Sequence, residues 1–190
     1  MSTRFVTMMN KTSNINKTLS LSVAPQRILI TGNAGSGKTT LAKQVSTALD
    51  IPFHSLDRIV WQEGWRKTPA NERQQQIEEL VQEPSWVIDG VSFQVQESAD
   101  LVVLLDIPRR ACFLRVIKRN WRYLFKSRPE LPANCPEIRI ILTLCKIIWN
   151  FPNKVRPQIL SKVQESSENQ HFYHIKTKQE LLVFTQWITR

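Results

Sequence analysis

The sequence predicts an α/β fold in which short parallel strands alternate with helices, and three observations predict it. Runs of strand length recur at residues 27–31, 51–57, 85–90, 100–106 and 171–177. Stretches with helical spacing separate them, so successive strands are joined by crossovers, which are right-handed in a parallel sheet. A turn rich in small residues, in ILITGNAGSGKTT (28–40), leads from the first run straight into the first helical stretch.

Taken in order, RILIT (27–31) reads as a fully buried strand, and a helix follows from near Gly37 to about Leu49. IPFHSLD (51–57) is the second strand, opened by Pro52 and ended by Asp57. In TPANERQQQIEELVQ (68–82), Thr68 is the expected cap and Pro69 the first helical residue. Ile77, Leu80 and Val81 form the inner face of that helix. SWVIDG (85–90) and DLVVLLD (100–106) are two further strands. A long basic segment comes next, then helical patterns to about residue 164, including the amphipathic stretch IRIILTLCKIIWNF (138–151). HFYHIKT (171–177) is the last strand and KQELLVFTQWI (178–188) the closing helix. No internal repeat is visible.

The chain of 190 residues fits one domain, 25–190, behind a tail of residues 1–24. That tail has no Asp or Glu and is rich in Ser, Thr and Asn. Disorder is the expectation, because little apolar surface is present to offset the entropy of ordering it. A targeting peptide, or translation from Met8 or Met9, stays open as an alternative. A hydrophobic fraction of 42% supports a sizeable core, and the net charge of +10 points to an anionic partner. Cys112, Cys135 and Cys145 are odd in number and lack CxxC spacing, so neither a disulfide framework nor a zinc site is expected. A cytoplasmic monomer without membrane association is the expected state; the most apolar stretch is too short to span a bilayer and carries Arg139 and Lys146.

GNAGSGKT, from Gly32 to Thr39, fits the pattern G-x-x-x-x-G-K-[ST]. Backbone N–H groups converge on phosphate oxygens only in a wrapped loop of little bulk, which Gly32, Asn33, Ala34, Gly35, Ser36 and Gly37 supply. Lys38 reaches the terminal phosphates, Thr39 offers its hydroxyl to magnesium, and Thr40 continues the first turn of the helix. The positive end of that helix faces the same anion. ATP with Mg2+ is therefore the expected ligand. Asp89 and Asp106 each end a strand on the side where parallel sheets bind ligands. Asp89 is the acid expected to orient magnesium. For Asp106, followed by Ile107-Pro108, a turn residue and a site residue are equal readings.

With the loop, WVIDG (86–90) and ADLVVLLDIPR (99–109) resemble the adenylate-kinase-like P-loop kinases. SLDRIVWQEGW (55–65), TPANE (68–72), SRPE (127–130) and NCPE (134–137) are similar to a bacterial subgroup labelled DNA topology modulation proteins, related to adenylate, shikimate and gluconate kinases. The resemblance covers about residues 27–188. It implies a three-layer P-loop NTPase fold around a five-stranded parallel sheet, with a kinase-type lid at about 109–135. It also implies that Asp57 lies beside an acceptor hydroxyl, to position it or take its proton. In relatives an Asn follows the Asp-Gly of strand three and an Arg precedes strand four. This chain has Val91 and then SFQVQESAD, without arginine, so acceptor binding is either altered or lost.

Between residues 107 and 129 there are eight basic residues and no acid. The resemblance puts Arg115, Arg119, Arg122 and Arg128 at the lid. Arg119 and Arg122 would act on the moving phosphoryl group, Arg115 and Arg128 on the nucleotide. A merely solvated basic face is the other reading. Trp61 and Trp65, four apart, would share a face of a helix and serve either as an acceptor wall or in the core. Lys176-Thr177 follows the last strand, where kinases of this fold lay the adenine; His54, His171 and His174 are expected to be structural. Two functions remain. One is a kinase moving the γ-phosphoryl group of ATP to a small-molecule acceptor, either a nucleotide or a hydroxyl metabolite. The other is a nucleotide-binding regulator with little catalysis that contacts DNA or RNA weakly through the basic arm.

Overall fold

The computed structural model of the chain describes residues 24–123, 140–166 and 170–188, with the side chains of 119–123 outside the description. The expected tail, apart from Ala24, and residues 124–135 of the expected lid lie outside the described residues. Among the described residues the strands are β1 (Arg27–Gly32), β2 (Phe53–Ser55), β3 (Trp61–Gln62), β4 (Arg66–Lys67), β5 (Trp86–Asp89), β6 (Leu101–Leu105) and β7 (His171–Ile175). The α-helices are α1 (Lys38–Leu49), α2 (Leu56–Val60), α3 (Ala70–Val81), α4 (Phe93–Ser98), α5 (Arg109–Tyr123), α6 (Ile141–Asn150), α7 (Arg156–Glu165) and α8 (Lys178–Ile188).

Five strands form one sheet in the order β2-β5-β1-β6-β7, and every pairing in it is parallel. The reason lies in the side-chain period of two. Ile28 and Ile30 on β1 pack with Val87, Leu101, Val103 and Leu105 against α1, α5, α6 and α8. Leu29 faces the other way, with Trp86, Ile88 and Val102, and meets α2, α3 and α4. Leu104 completes that second face against Phe151 and, on α7, Ile159. Apolar residues on both faces require cover on both faces. The result is the expected α/β sandwich of three layers around five parallel strands. Asp100 fastens its lower edge, its Oδ2 accepting from the backbone N–H groups of Gln26 at 3.0 Å and Arg27 at 2.8 Å.

Several expectations change in detail. The second strand is only three residues long, and Asp57 is not its end but the second residue of α2. Trp61 and Trp65 share no helix. β3 and β4 form an antiparallel ribbon whose tip, Glu63–Trp65, is a 3-10 turn, with Gly64 at φ 74° and Trp65 at φ 63°. The two indoles still meet, edge to face, with centroids 5.3 Å apart. Helix α3 starts one residue later than expected, so Pro69 is its cap rather than its first residue. Helix α4, capped by Ser92 accepting from the Val95 N–H at 3.4 Å, was not anticipated. The stretch 141–165 is broken at Phe151–Val155, where i→i+5 bonding widens the helix around Pro152.

Candidate functional site

At the upper end of the sheet β1 runs out at Gly32, and the loop 33–37 turns into α1 at Lys38. Every loop residue from Gly32 to Thr40 therefore lies where the sequence places it. Gly35, at φ +75°, shows why a side chain is not tolerated there. A Cβ on it would sit 2.7 Å from the Cys112 carbonyl oxygen and 2.8 Å from Val116 Cγ2, both on α5. The loop is thus pressed against α5 with no room between.

Hydrogen bonds within the loop converge on Asn33. Its backbone oxygen accepts from the Ser36 N–H at 3.2 Å and from the Lys38 ammonium at 3.0 Å, and its Oδ1 accepts from the Ala34 N–H at 2.8 Å. Helix α1 has Gly37 as its cap, no side-chain cap and no acid in its first turn. Its leading N–H groups and its positive end are left for an anion. Ser36 is 2% exposed, and its Oγ has no hydrogen-bond partner among the described residues. A buried hydroxyl of that kind matches a phosphate oxygen or a magnesium-bound water. The residues present fit a triphosphate.

Thr39 Oγ1 donates to Asp89 Oδ2 in a short hydrogen bond that joins the first turn of α1 to the end of β5. Asp89 is 4% exposed, so two oxygen ligands of the type magnesium takes are held together beside the loop. Asp57 approaches by a different route. Gly90, which follows Asp89, has φ +151°, and a Cβ there would lie 2.7 Å from Leu56 Cβ. The start of α2 is therefore packed directly on the upper end of β5, and Asp57 is its next residue.

Of the basic residues, Arg115 reaches the loop backbone. Its Nη1 donates to the Ser36 carbonyl at 2.7 Å. Arg119 and Arg122 fall within α5, but their side chains lie outside the description, and Arg128 lies outside the described residues altogether. Cys112, fully buried under the loop, has its thiol pushed up by burial.

Asp106 turns out to be structural. Its Oδ2 meets His174 Nε2 at 3.0 Å and Arg156 Nη1 at 3.2 Å. Burial raises its pKa, but the His174 hydrogen bond and the Arg156 charge outweigh that and hold it below its ordinary 3.8. Sequence reasoning missed Arg156, which lies 50 residues from Asp106 in the chain. A depressed carboxylate contributes stability that is complete above the unfolded pKa and disappears as pH falls through the folded one. Asp106→Asn is therefore expected to cost about 1–3 kcal/mol at pH 7 and progressively less at an acid pH, as the carboxyl protonates. Urea midpoints at the two pH values check this; an equal loss at both would remove the ion pair as its cause.

Among the described residues, no group of three or more His, Cys, Asp or Glu side chains gathers into a metal site, and no helix is long and apolar enough to cross a membrane.

No curated protein matches the chain. Among solved structures it is similar to a shikimate kinase from Acinetobacter baumannii in complex with shikimate, at 20% identity and a TM-score of 0.48 over 86% of this chain and 90% of that one. It is similar to a gluconokinase from Sinorhizobium meliloti 1021, at 14% identity and a TM-score of 0.47 over 87% and 90%. It is also similar to a shikimate kinase from Bacteroides thetaiotaomicron, at 22% identity and a TM-score of 0.44 over 75% and 96%. A family model described as the NB-ARC domain matches residues 8–106, a little over half of the chain and the span that holds the loop, Asp57, Asp89 and the first four strands of the sheet. By that match the chain belongs to the NB-ARC family, whose members are P-loop NTPases.

Proposed function

We propose that the protein is a small-molecule kinase that moves the γ-phosphoryl group of ATP to a hydroxyl or phosphate acceptor. The observation that carries the proposal is the pairing of a complete phosphate loop with Thr39 and Asp89, locked together at the end of β5. Within this reading the chain falls in the adenylate-kinase-like branch and the DNA topology modulation subgroup that its sequence resembles.

The loop N–H groups and Lys38 bind and orient the phosphates, and Arg115 holds the Ser36 peptide that forms part of the cradle. Thr39 and Asp89 are the residues to hold magnesium, which when bound supplies neutralisation of the phosphate charge. Asp57 positions the acceptor hydroxyl and takes its proton. Arg119 and Arg122 are assigned to the charge that develops on the phosphoryl group, with Arg128 on the nucleotide.

The test is a panel of shikimate, gluconate, nucleoside monophosphates and simple sugars with ATP and magnesium, read by coupled ADP release. One acceptor raising ADP release at least about tenfold above the acceptor-free rate supports the kinase, because even partial catalysis exceeds that. Tight MgATP binding with no response to any acceptor, together with salt-sensitive DNA binding, would favour the regulator instead.

A further inference from the structure

The side chain of Asn33 is 1% exposed, yet it does not point at the phosphate cradle. Its Nδ2 donates to the backbone oxygen of Ile148, on α6, at 3.0 Å, across 115 residues of sequence. In a regular helix that carbonyl accepts from the N–H four residues on. Here residue 152 is Pro152, which has no N–H. The widened turn Phe151–Val155 begins immediately before it, with the Arg156 N–H bonded to Phe151. Ile148 and Phe151 are both buried, at 0% and 3% exposure. A carbonyl stripped of its helical donor in such a place needs another one.

From this we infer that Asn33 is a positioning residue. Its amide spans from the phosphate loop to the carbonyl freed by Pro152, and this bond fixes the loop in its phosphate-binding shape. The remaining contacts of Asn33 explain why one side chain has such leverage. Its Oδ1 holds the Ala34 N–H, and its own carbonyl holds the Ser36 N–H and the Lys38 ammonium. Rotating the side chain away from α6 breaks the Ala34 bond directly and frees the peptide whose carbonyl holds Ser36 and Lys38. The far end is held as well. Arg109, on α5, donates to Asn153 Oδ1 at 3.2 Å and stacks over the Trp149 ring at 4.9 Å, bracing the break. The helix break is thus part of the nucleotide site's scaffold.

The inference rests on the nucleotide-binding reading, and its test separates the two. Asn33→Ser keeps a hydroxyl able to accept from Ala34 but too short to reach Ile148. Pro152→Ala gives Ile148 a backbone donor again. Asn33→Ser is expected to weaken MgATP binding by about fivefold or more in calorimetry and to lower the melting temperature by about 2–6 °C. Adding Pro152→Ala should recover much of the lost melting temperature but not the affinity, because the carbonyl is satisfied while the loop remains untied. That split is the signature of positioning; a merely structural residue would recover both together. Melting temperatures of the four proteins test the bond without any nucleotide, and the double variant serves where Asn33→Ser alone does not fold. Strictly additive melting shifts, or MgATP affinity within about twofold of wild type in Asn33→Ser, overturn the inference. A wild-type protein that fails to bind MgATP overturns the nucleotide reading instead.

Discussion

Lys38→Ala is expected to weaken MgATP binding by about tenfold to a hundredfold, the range for losing a charge-assisted hydrogen bond to a phosphate. The structure shows why the loss should be in binding rather than folding. Lys38 stands in the first turn of α1, and its ammonium makes a hydrogen bond to the Asn33 carbonyl, inside the loop itself. Nothing in the hydrophobic core depends on it. Leu41, Ala42 and Val45 carry the helix's packing, and they are untouched. The variant should therefore melt close to wild type while its calorimetric binding signal fades. Equal affinities for the two proteins would defeat the loop as the triphosphate site.

Asp57→Asn separates catalysis from binding. The substitution is nearly isosteric, and Asp57 stands on α2, outside the phosphate loop. MgATP affinity is expected to stay within about threefold of wild type, whereas turnover with an active acceptor falls by about two to four orders of magnitude, as for a positioned acid or base. Its place on α2 rather than at a strand end sharpens the expectation. A helix anchored by Leu56 against Gly90 holds its second residue more firmly than a loop would. Turnover preserved in the variant would end the assignment and move attention to Asp89.

Much of this could be read from the sequence, and the division has physical reasons. β1, β5 and β6 were legible because continuous apolar runs between turn residues have few alternatives to a buried strand. The phosphate loop was legible because its glycine spacing is dictated by backbone geometry: Gly32 and Gly37, at φ 146° and 104°, both take conformations that favour glycine. The ribbon at Trp61–Lys67 was misread because two tryptophans four apart satisfy a helical period. Gly64 between them was the sign of a turn. Asp57 moved into α2 because β2 is too short for its pattern to mark an end. The partners of Asp106 and the amide of Asn33 were not legible at all. His174, Arg156 and Ile148 are 68, 50 and 115 residues away, and only the assembled sheet brings them near.

The strand order has a consequence for how the chain is born. β1 leaves the ribosome first, yet it is the middle of the sheet, and its neighbours are residues 86–89 on one side and 101–105 on the other. Parallel pairing across such separations is slow, since the intervening loops must close before any contact is gained. While residues 33–85 are made, Ile28, Leu29 and Ile30 have no native strand to pair with, and two unpaired edges stand ready for another chain. The segment that ends in the phosphate loop is therefore the one a nascent-chain chaperone would need to shield, and its exposure ends only when Leu105 has emerged.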